Sequence, residues 1–203
     1  MSDETSDRIV EAAMEEFSEA GFSGSRVAHI AEKAGVNKAL LFYYYRSKEK
    51  LYSAVMEAVM SRIIGPLIEF IEKVETAEEF IEGFPAMHMR FVDKNQRLLR
   101  VGISHFIGRP SGLNPEVAAV FRKRVGKIKD PFFKKINNWI QSGQIRAEDP
   151  YHFIINVISL NLFCFLARPL FETISGISYD SDSEFLEKRT KSVINLLKGG
   201  MFP

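Results

Sequence analysis

Basic side chains cluster between residues 26 and 50 of a chain whose overall charge is close to zero. The segment holds six lysines and arginines but two glutamates, a net charge of +4, whereas the whole chain of 203 residues carries +1. Cationic side chains attract the phosphates of nucleic acids, so the segment predicts a phosphate-binding surface. Its basic residues are Arg26, Lys33, Lys38, Arg46, Lys48 and Lys50.

The first nineteen residues have the opposite charge. They contain seven aspartates and glutamates against one arginine, Arg8. Acidic side chains repel phosphates, so we expect this surface to face away from a bound nucleic acid.

Two short predicted helices flank a tight turn at residues 34–37. Gly35 can adopt the positive φ that a sharp helix end requires, and Asn37 can cap the helix that follows. Val36 can fill the angle between the two helices, and small residues such as Ala31 permit close helix packing. The arrangement is a helix-turn-helix, whose second helix can enter the major groove of DNA.

The same segment resembles the tetracycline repressor-like (TetR) family over about 45 residues, from Arg8 to Tyr52. The matching runs are Gly21 to Val27, Ile30-Ala31, Ala34 to Val36 and Leu41 to Leu51, in a fixed register without gaps. Departures are small: Asn37 replaces the commoner serine or threonine, and Ala39 a frequent glycine. Phe42 and Tyr45 exchange hydroxyl positions relative to the usual tyrosine and phenylalanine.

The resemblance implies a set of DNA-binding residues. The exposed start of the recognition helix would face base edges, two tyrosines would contact phosphates or a thymine methyl, and the starts of the second and fourth helices would hold phosphates. The set is Ser25, Arg26, Asn37, Lys38, Ala39, Leu40, Tyr43, Tyr44 and Lys48.

Several neighbouring side chains have a purely structural alternative. Leu41, Phe42 and Tyr45 are expected in the core of the small domain, and Tyr44 fits either role. Arg46 and Lys50 can be solvated surface, and His29 an ordinary surface or packing residue.

The pattern of apolar residues predicts an all-α fold in two domains. The first is a three-helix, helix-turn-helix DNA-binding domain over residues 1–48, and the second is a larger helical domain over residues 49–203. Ile9, Ala13 and Phe17 recur at four-residue spacing in the first helix.

Proline and capping residues predict the helix ends of the larger domain. Gly65-Pro66 is expected to kink or break the fourth helix, and Asp130-Pro131 can break a later one. Further helices are expected at roughly 76–92, 95–107 and 150–171, with a last one opened by Ser181 and Glu184.

The resemblance implies that the larger domain dimerises through its last two helices and binds a small molecule. A helix over residues 150–171 is too apolar for a one-sided surface helix, although the core helix of a monomer would have the same composition. Large, soft side chains are common here and suit an apolar ligand. The candidate ligand-binding residues are Met87, Phe91, His105, Phe106, Trp139, Asn161 and Phe165.

Other classes of protein have little support. The sequence contains none of the common hydrolase, phosphate-loop, H-E-x-x-H or C-x-x-C motifs, so we expect no enzyme, no cofactor and no metal. A single cysteine, Cys164, and the absence of a secretory signal or a long apolar span favour a cytoplasmic protein without a membrane segment. A nonspecific DNA protein would not require a large aromatic-rich domain.

The sequence therefore predicts a homodimeric, sequence-specific transcriptional regulator that binds a double-stranded DNA operator. By resemblance it is a repressor, controlled by a small-molecule effector. A shift of the fourth helix, pivoting near Gly65-Pro66, would change the spacing of the recognition helices and hence the DNA affinity.

Overall fold

The computed structural model describes residues 2–107, 115–146, 149–176 and 183–202, which form ten helices and no strand. This confirms the predicted all-α fold class. The helices are α1 (Ser2–Gly24), α2 (Val27–Lys33), α3 (Lys38–Tyr45), α4 (Lys48–Lys73), α5 (Ala77–Lys94), α6 (Gln96–Ile107), α7 (Pro115–Gln141), α8 (Pro150–Leu166), α9 (Arg168–Ser175) and α10 (Ser183–Met201).

The chain divides into two compact units. Unit 1 comprises Met1–Pro66 and Gln96–Lys127, and unit 2 comprises Leu67–Asn95 and Ile128–Pro203. The predicted helix-turn-helix domain lies inside unit 1, which also takes in most of α4, α6 and the first part of α7. The predicted boundary at residue 48 stays a prediction.

Unit 1 has its core along α1, which packs against α2 and α6. Ile9, Ala13 and Phe17 are buried, as their four-residue spacing predicts. The rings of Phe17 and Tyr52 meet edge to face with 4.9 Å between centroids, an arrangement that aromatic pairs favour. Helix α1 kinks at Gly21, whose φ of 65° suits glycine.

Unit 2 has an aromatic core centred on Phe80 of α5. Its ring centroid lies 5.0 Å from that of Phe132 and 5.8 Å from those of Trp139 and Phe153. Trp139 also donates its ring N–H to the carbonyl of Glu75 at 2.8 Å, which satisfies the one polar atom of the indole. The rings thus hold α5, α7 and α8 together within unit 2.

Polar capping fixes the helix ends of unit 2. Thr76 and Glu79 form a capping box at the start of α5, which was not predicted from the sequence. Asp149 accepts a hydrogen bond from the Tyr151 amide at 2.7 Å and caps α8. Ser181, part of the predicted cap of α10, lies outside the described residues.

The predicted break at Gly65-Pro66 is absent, because α4 continues through both residues to Lys73. Proline deletes one backbone hydrogen bond, and a helix of 26 residues retains enough others to continue. Pro131 likewise lies inside the uninterrupted α7.

The predicted helix over residues 150–171 is wrong at its end. Helix α8 stops at Leu166, and α9 continues at an angle of 60°. Pro169 has no N–H to donate, and in a continuous helix its ring would clash with the carbonyl of Phe165. Within the described ranges no single helix has the length and apolar character of a membrane span, although the bent pair of α8 and α9 together meets both criteria.

Candidate DNA-binding site

The turn between α2 and α3 is closed by backbone hydrogen bonds. Gly35 has a φ of 65°, and the amide of Val36 donates to the carbonyl of Ala31 at 2.9 Å, as in a glycine-terminated helix end. Asn37 then accepts from the amide of Leu40 at 2.8 Å and caps α3. The predicted roles of Gly35 and Asn37 in the turn are both confirmed.

Helix α3 is anchored by one face and exposed on the other. Leu41 is completely buried, whereas Lys38, Ala39 and Leu40 are exposed. Tyr43 is 79% exposed and is the most exposed of the large apolar side chains of α3. The start of the helix is therefore free to contact another molecule, which is the condition for a recognition helix.

The expected core position of Phe42 is wrong, since 40% of this residue is exposed. Phe42 follows Lys38 by four residues and so shares its outward face, whereas Leu41 lies about 100° away around the helix. Tyr45, four residues after Leu41, is half-buried, and its hydroxyl lies 2.7 Å from that of Ser6. Phe42 is thus a candidate DNA contact that residue type alone did not identify.

Tyr44 lies between these two environments. It is half-buried, and its ring meets that of Tyr43 at 90° with 5.7 Å between centroids.

The start of α2 is tied to the start of α4. Lys48 Nζ donates to the carbonyl of Ser25 at 2.6 Å and lies 4.9 Å from the ring centre of Phe22. Ser25 is itself buried, and its hydroxyl donates to the carbonyl of Phe22 at 2.9 Å. These contacts position both predicted phosphate-binding residues, whose contact with DNA stays a prediction.

A buried carboxylate holds the neighbouring backbone in place. Glu16 is 6% exposed and accepts a hydrogen bond from the amide of Arg26 at 3.2 Å. Lys33 Nζ lies 3.4 Å and His29 Nδ1 3.5 Å from its oxygens. Burial raises the pKa of the Glu16 carboxyl, but the hydrogen bond from Arg26 and the contacts with Lys33 and His29 outweigh it, so that the pKa lies below its usual value.

The acid dependence of stability should reveal this carboxylate. A carboxyl with a depressed folded-state pKa stabilises the fold fully above its unfolded-state pKa, and this contribution is lost as the pH falls through the folded-state pKa. We expect Glu16→Gln to cost about 1–3 kcal/mol at neutral pH and progressively less as the pH is lowered toward the folded-state pKa of Glu16, because the neutral amide cannot titrate. Urea unfolding across this pH range measures it.

Glu15→Gln is the matched control, since Glu15 also contacts Lys33 but is 38% exposed at its side chain. If the free energies of unfolding of Glu16→Gln and of the unmodified protein differed by the same amount at every pH, ionisation of Glu16 would make no specific contribution to stability.

Ion pairs divide the basic residues of the segment into two groups. Lys33 is paired with glutamates of α1, and Lys50 lies 2.6 Å from Glu116. Over the described ranges the remaining four form no ion pair with an acidic side chain, so their charge remains available for phosphates. These are Arg26, Lys38, Arg46 and Lys48.

Five of the seven candidate ligand-binding residues lie in unit 2, whereas His105 and Phe106 lie on α6 in unit 1. Trp139 belongs to the aromatic core, Asn161 is fully buried in α8, and Met87, Phe91 and Phe165 are half-buried. The side chains of His105 and Phe106 lie outside the described residues. Among the residues whose placement is described, no group of side chains could hold a metal ion.

An exposed, capped recognition helix fixed on a small helical core defines the protein as a helix-turn-helix DNA-binding protein. Residues 9–55 match the family described as "Bacterial regulatory proteins, tetR family". Over these residues the chain matches this family of transcriptional regulators.

Relatives match over most of the chain. The HTH-type transcriptional regulator RutR of Escherichia coli is 26% identical over 195 residues, which cover 96% of this chain and 89% of RutR. The negative transcriptional regulator IcaR of the icaADBC biofilm operon, from Staphylococcus epidermidis, is 25% identical over 189 residues, which cover 90% of this chain and 93% of IcaR.

The fold of a solved regulator agrees with that of this chain. The transcriptional regulator FadR of Bacillus subtilis, solved in complex with stearoyl-CoA, superposes with a TM-score of 0.68 at 21% identity. The match covers 95% of this chain and 97% of FadR.

Proposed function

We propose that the protein is a homodimeric, operator-specific repressor, acting in the cytoplasm, whose DNA affinity is set by a small molecule bound in unit 2. The observation that carries the proposal is the geometry of α3. Asn37 caps this helix and Leu41 anchors it, so that Lys38, Leu40 and Tyr43 project outward. Repression is favoured by the similarity to IcaR, a negative regulator.

Two such helices are needed to read two half-sites one helical turn of DNA apart, so the proposal requires a dimer. The exposed apolar side chains of helix α8 support a dimer. Tyr151, Ile155, Phe163 and Leu166 recur at helical spacing and are 42–61% exposed. A monomer whose core helix was α8 would bury these side chains.

Helix α10 extends the same apolar surface. Leu196 is 60% exposed, and a groove of about 570 Å³ lies between α8 and α10, with Phe153 and Leu197 among its lining residues. A self-complementary apolar face with a groove suits an isologous contact with a second copy, in which α8 and α10 form a four-helix interface.

Control by a small molecule is supported by the solved FadR structure, in which an acyl-CoA is bound. The aromatic-rich interior of unit 2 is the place where this chain can hold an apolar group. Because α4 begins next to the recognition helix and ends in unit 2, we propose that it transmits the effect of the ligand.

The test compares two lysines on operator and random DNA. The operator is first selected from genomic fragments, and affinities are then measured by fluorescence anisotropy over a range of salt concentrations. We expect Lys38→Ala to weaken operator binding by roughly 5- to 150-fold with a smaller effect on random duplex, because base contacts confer specificity.

Lys48→Met, which keeps the length of the side chain, should weaken binding to both duplexes and reduce the salt slope by about 1 for each phosphate that the variant no longer neutralises. Lys94→Ala, at an exposed position of unit 2, is the control and should change neither the affinity for the two duplexes nor the salt slope. Equal reductions on operator and random DNA for Lys38→Ala would contradict the proposal and favour a nonspecific DNA protein.

A further inference from the structure

Four polar atoms in the interior of unit 2 form no hydrogen bond with the described part of the chain. They are His88 Nδ1, Asn161 Nδ2, Asn161 Oδ1 and Arg189 Nε. Asn161 is fully buried. Each such atom destabilises a fold by about 1–3 kcal/mol, so their joint presence in an apolar core requires an explanation.

Helix α10 runs antiparallel to α5. Thr190 Oγ1 donates to Met89 Sδ at 3.3 Å near one end of the pair, and Lys198 Nζ donates to Glu78 Oε1 at 3.2 Å near the other. Residue numbers therefore rise along α10 as they fall along α5.

Helix α10 is also antiparallel to α8. Arg189 Nη2 donates to the carbonyl of Leu160 at 2.8 Å, and the amide of Arg146, just before α8, donates to the carbonyl of Met201 at 2.7 Å. Helices α5 and α8 are consequently parallel to each other.

This topology places the unsatisfied atoms at one level, that is, at about the same height along the parallel axes of α5 and α8. The rings of Phe80 on α5 and Phe153 on α8 are 5.8 Å apart. His88 follows Phe80 by eight residues and Asn161 follows Phe153 by eight, which is a rise of about 12 Å on each helix. Arg189, bonded to the residue before Asn161, belongs to the same level. We name His88, Asn161 and Arg189 the polar cluster.

The donors of the polar cluster fit an anion. Arg189 forms no ion pair with an acidic side chain in the ranges described, and its Nε–H is enclosed and unbonded. Asn161 Nδ2 offers a second donor. A guanidinium binds carboxylates through its planar fork, and a cation withdrawn from water is stabilised by a charged partner.

Uncharged side chains adjoin these donors, and one of them is the thiol of Cys164, which donates to the carbonyl of Asn161 at 3.3 Å. Desolvation by burial lowers the pKa of His88 to about 4, so its imidazole carries no charge at neutral pH. Phe84 stacks on this imidazole at 5.2 Å between centroids, and Met89 is completely buried. His88 Nδ1 and Asn161 Oδ1 can accept hydrogen bonds, and the apolar neighbours suit a hydrocarbon body.

We propose that the polar cluster binds the carboxylate of a small organic acid, with Arg189 Nε and Asn161 Nδ2 donating to its oxygens. That this acid is the effector rests on the proposed function. The proposal narrows the ligand from an apolar molecule to an amphipathic one with an acidic group.

The test uses matched pairs of probes on the full-length protein: acetate, hexanoate and benzoate, each against its neutral amide. We expect at least one acid to raise the melting temperature by about 3–6 °C at ten times its Kd, and the matching amide to raise it by less than a third of that. Arg189→Met should abolish the shift. Lys191→Met, an exposed charge two residues further along α10, should leave it intact.

Asn161→Leu provides a second variant in case Arg189→Met does not fold, and it should also abolish the shift, since it removes one donor without adding charge. If the acid raised the melting temperature of either variant as much as that of the unmodified protein, the proposal would be overturned. It would also be overturned if none of the three acids raised the melting temperature. Ordered water would then be the partner of these atoms. Operator binding is measured separately, so a chain that ignores duplex DNA refutes the proposed function and not this site.

Discussion

Ile155→Asp is expected to convert the protein from a dimer to a monomer and to reduce operator affinity by about 100-fold or more. In an isologous interface each substitution occurs twice, so two carboxylates would face an apolar surface across the two-fold axis. An uncompensated buried charge costs several kcal/mol, which exceeds what most protein dimers can lose and remain associated at micromolar concentration.

The DNA effect follows from geometry. A monomer presents one recognition helix and can occupy one half-site, so it lacks both the interactions of the second half-site and the advantage of linking the two. Sedimentation equilibrium measures the mass, and anisotropy measures operator binding on the same samples.

Val125→Asp is the matched control, because Val125 is also an exposed apolar residue but lies on α7 in unit 1, outside the proposed interface. Leu196→Asp, on α10, should behave as Ile155→Asp does. A variant Ile155→Asp that sediments as a dimer would show that α8 does not form the interface.

The recognition helix was the most predictable part of the protein, because its conformation depends on local chemistry. Gly35 and Asn37 act through hydrogen bonds to residues within four positions, and such contacts can be inferred from residue type and spacing. The net charge of the whole chain is only +1, so the predicted phosphate-binding surface was inferred from the local distribution of charge, and its contact with DNA stays a prediction.

Residues whose environment depends on tertiary packing were predicted less well. Phe42 and Leu41 are both large and apolar, and their opposite exposures follow from which face of α3 meets the core. The contact of Lys48 with the Ser25 carbonyl joins positions 23 apart, and no local pattern predicts it. The same holds for Asn161, whose burial without a partner cannot be inferred from the sequence, because it is one of several polar residues in α8.

Prolines were an uneven guide to the helix ends, because α7 and α8 do begin at prolines, Pro115 and Pro150. A kink or a break was expected at Pro66, and Pro131 was a possible break, yet both lie inside long helices, whereas Pro169 lies where α8 gives way to α9. In each case a proline removes one hydrogen bond, so the outcome depends on whether the remaining turns have packing that holds the helix together. Packing of this kind can be assessed only in three dimensions.

Phe80→Ala should be the most destabilising single substitution in unit 2, with an expected loss of about 3–5 kcal/mol in the free energy of unfolding. Phe80 is 2% exposed. Its ring lies 5.0–6.0 Å between centroids from those of Phe70, Phe84, Phe132, Trp139 and Phe153. Truncation therefore leaves a cavity that neighbours on three other helices cannot close by moving one side chain.

The chain offers a specific reporter of this change. Trp139 is the single tryptophan and lies in unit 2 against Phe80, so its fluorescence follows the unfolding of unit 2 even if unit 1 unfolds separately. Urea titrations at one fixed protein concentration keep the contribution of dimerisation constant.

Phe133→Ala is the control within the same unit, since Phe133 is half-buried and its ring contacts Tyr151 at 6.4 Å rather than the core. We expect it to cost about 1 kcal/mol, near the average for a point substitution. Comparable destabilisation in the two variants would mean that Phe80 does not organise the core. A much larger effect for Phe80→Ala would support the view that these aromatic rings, two turns away from the level of His88 and Asn161, hold α5 and α8 together.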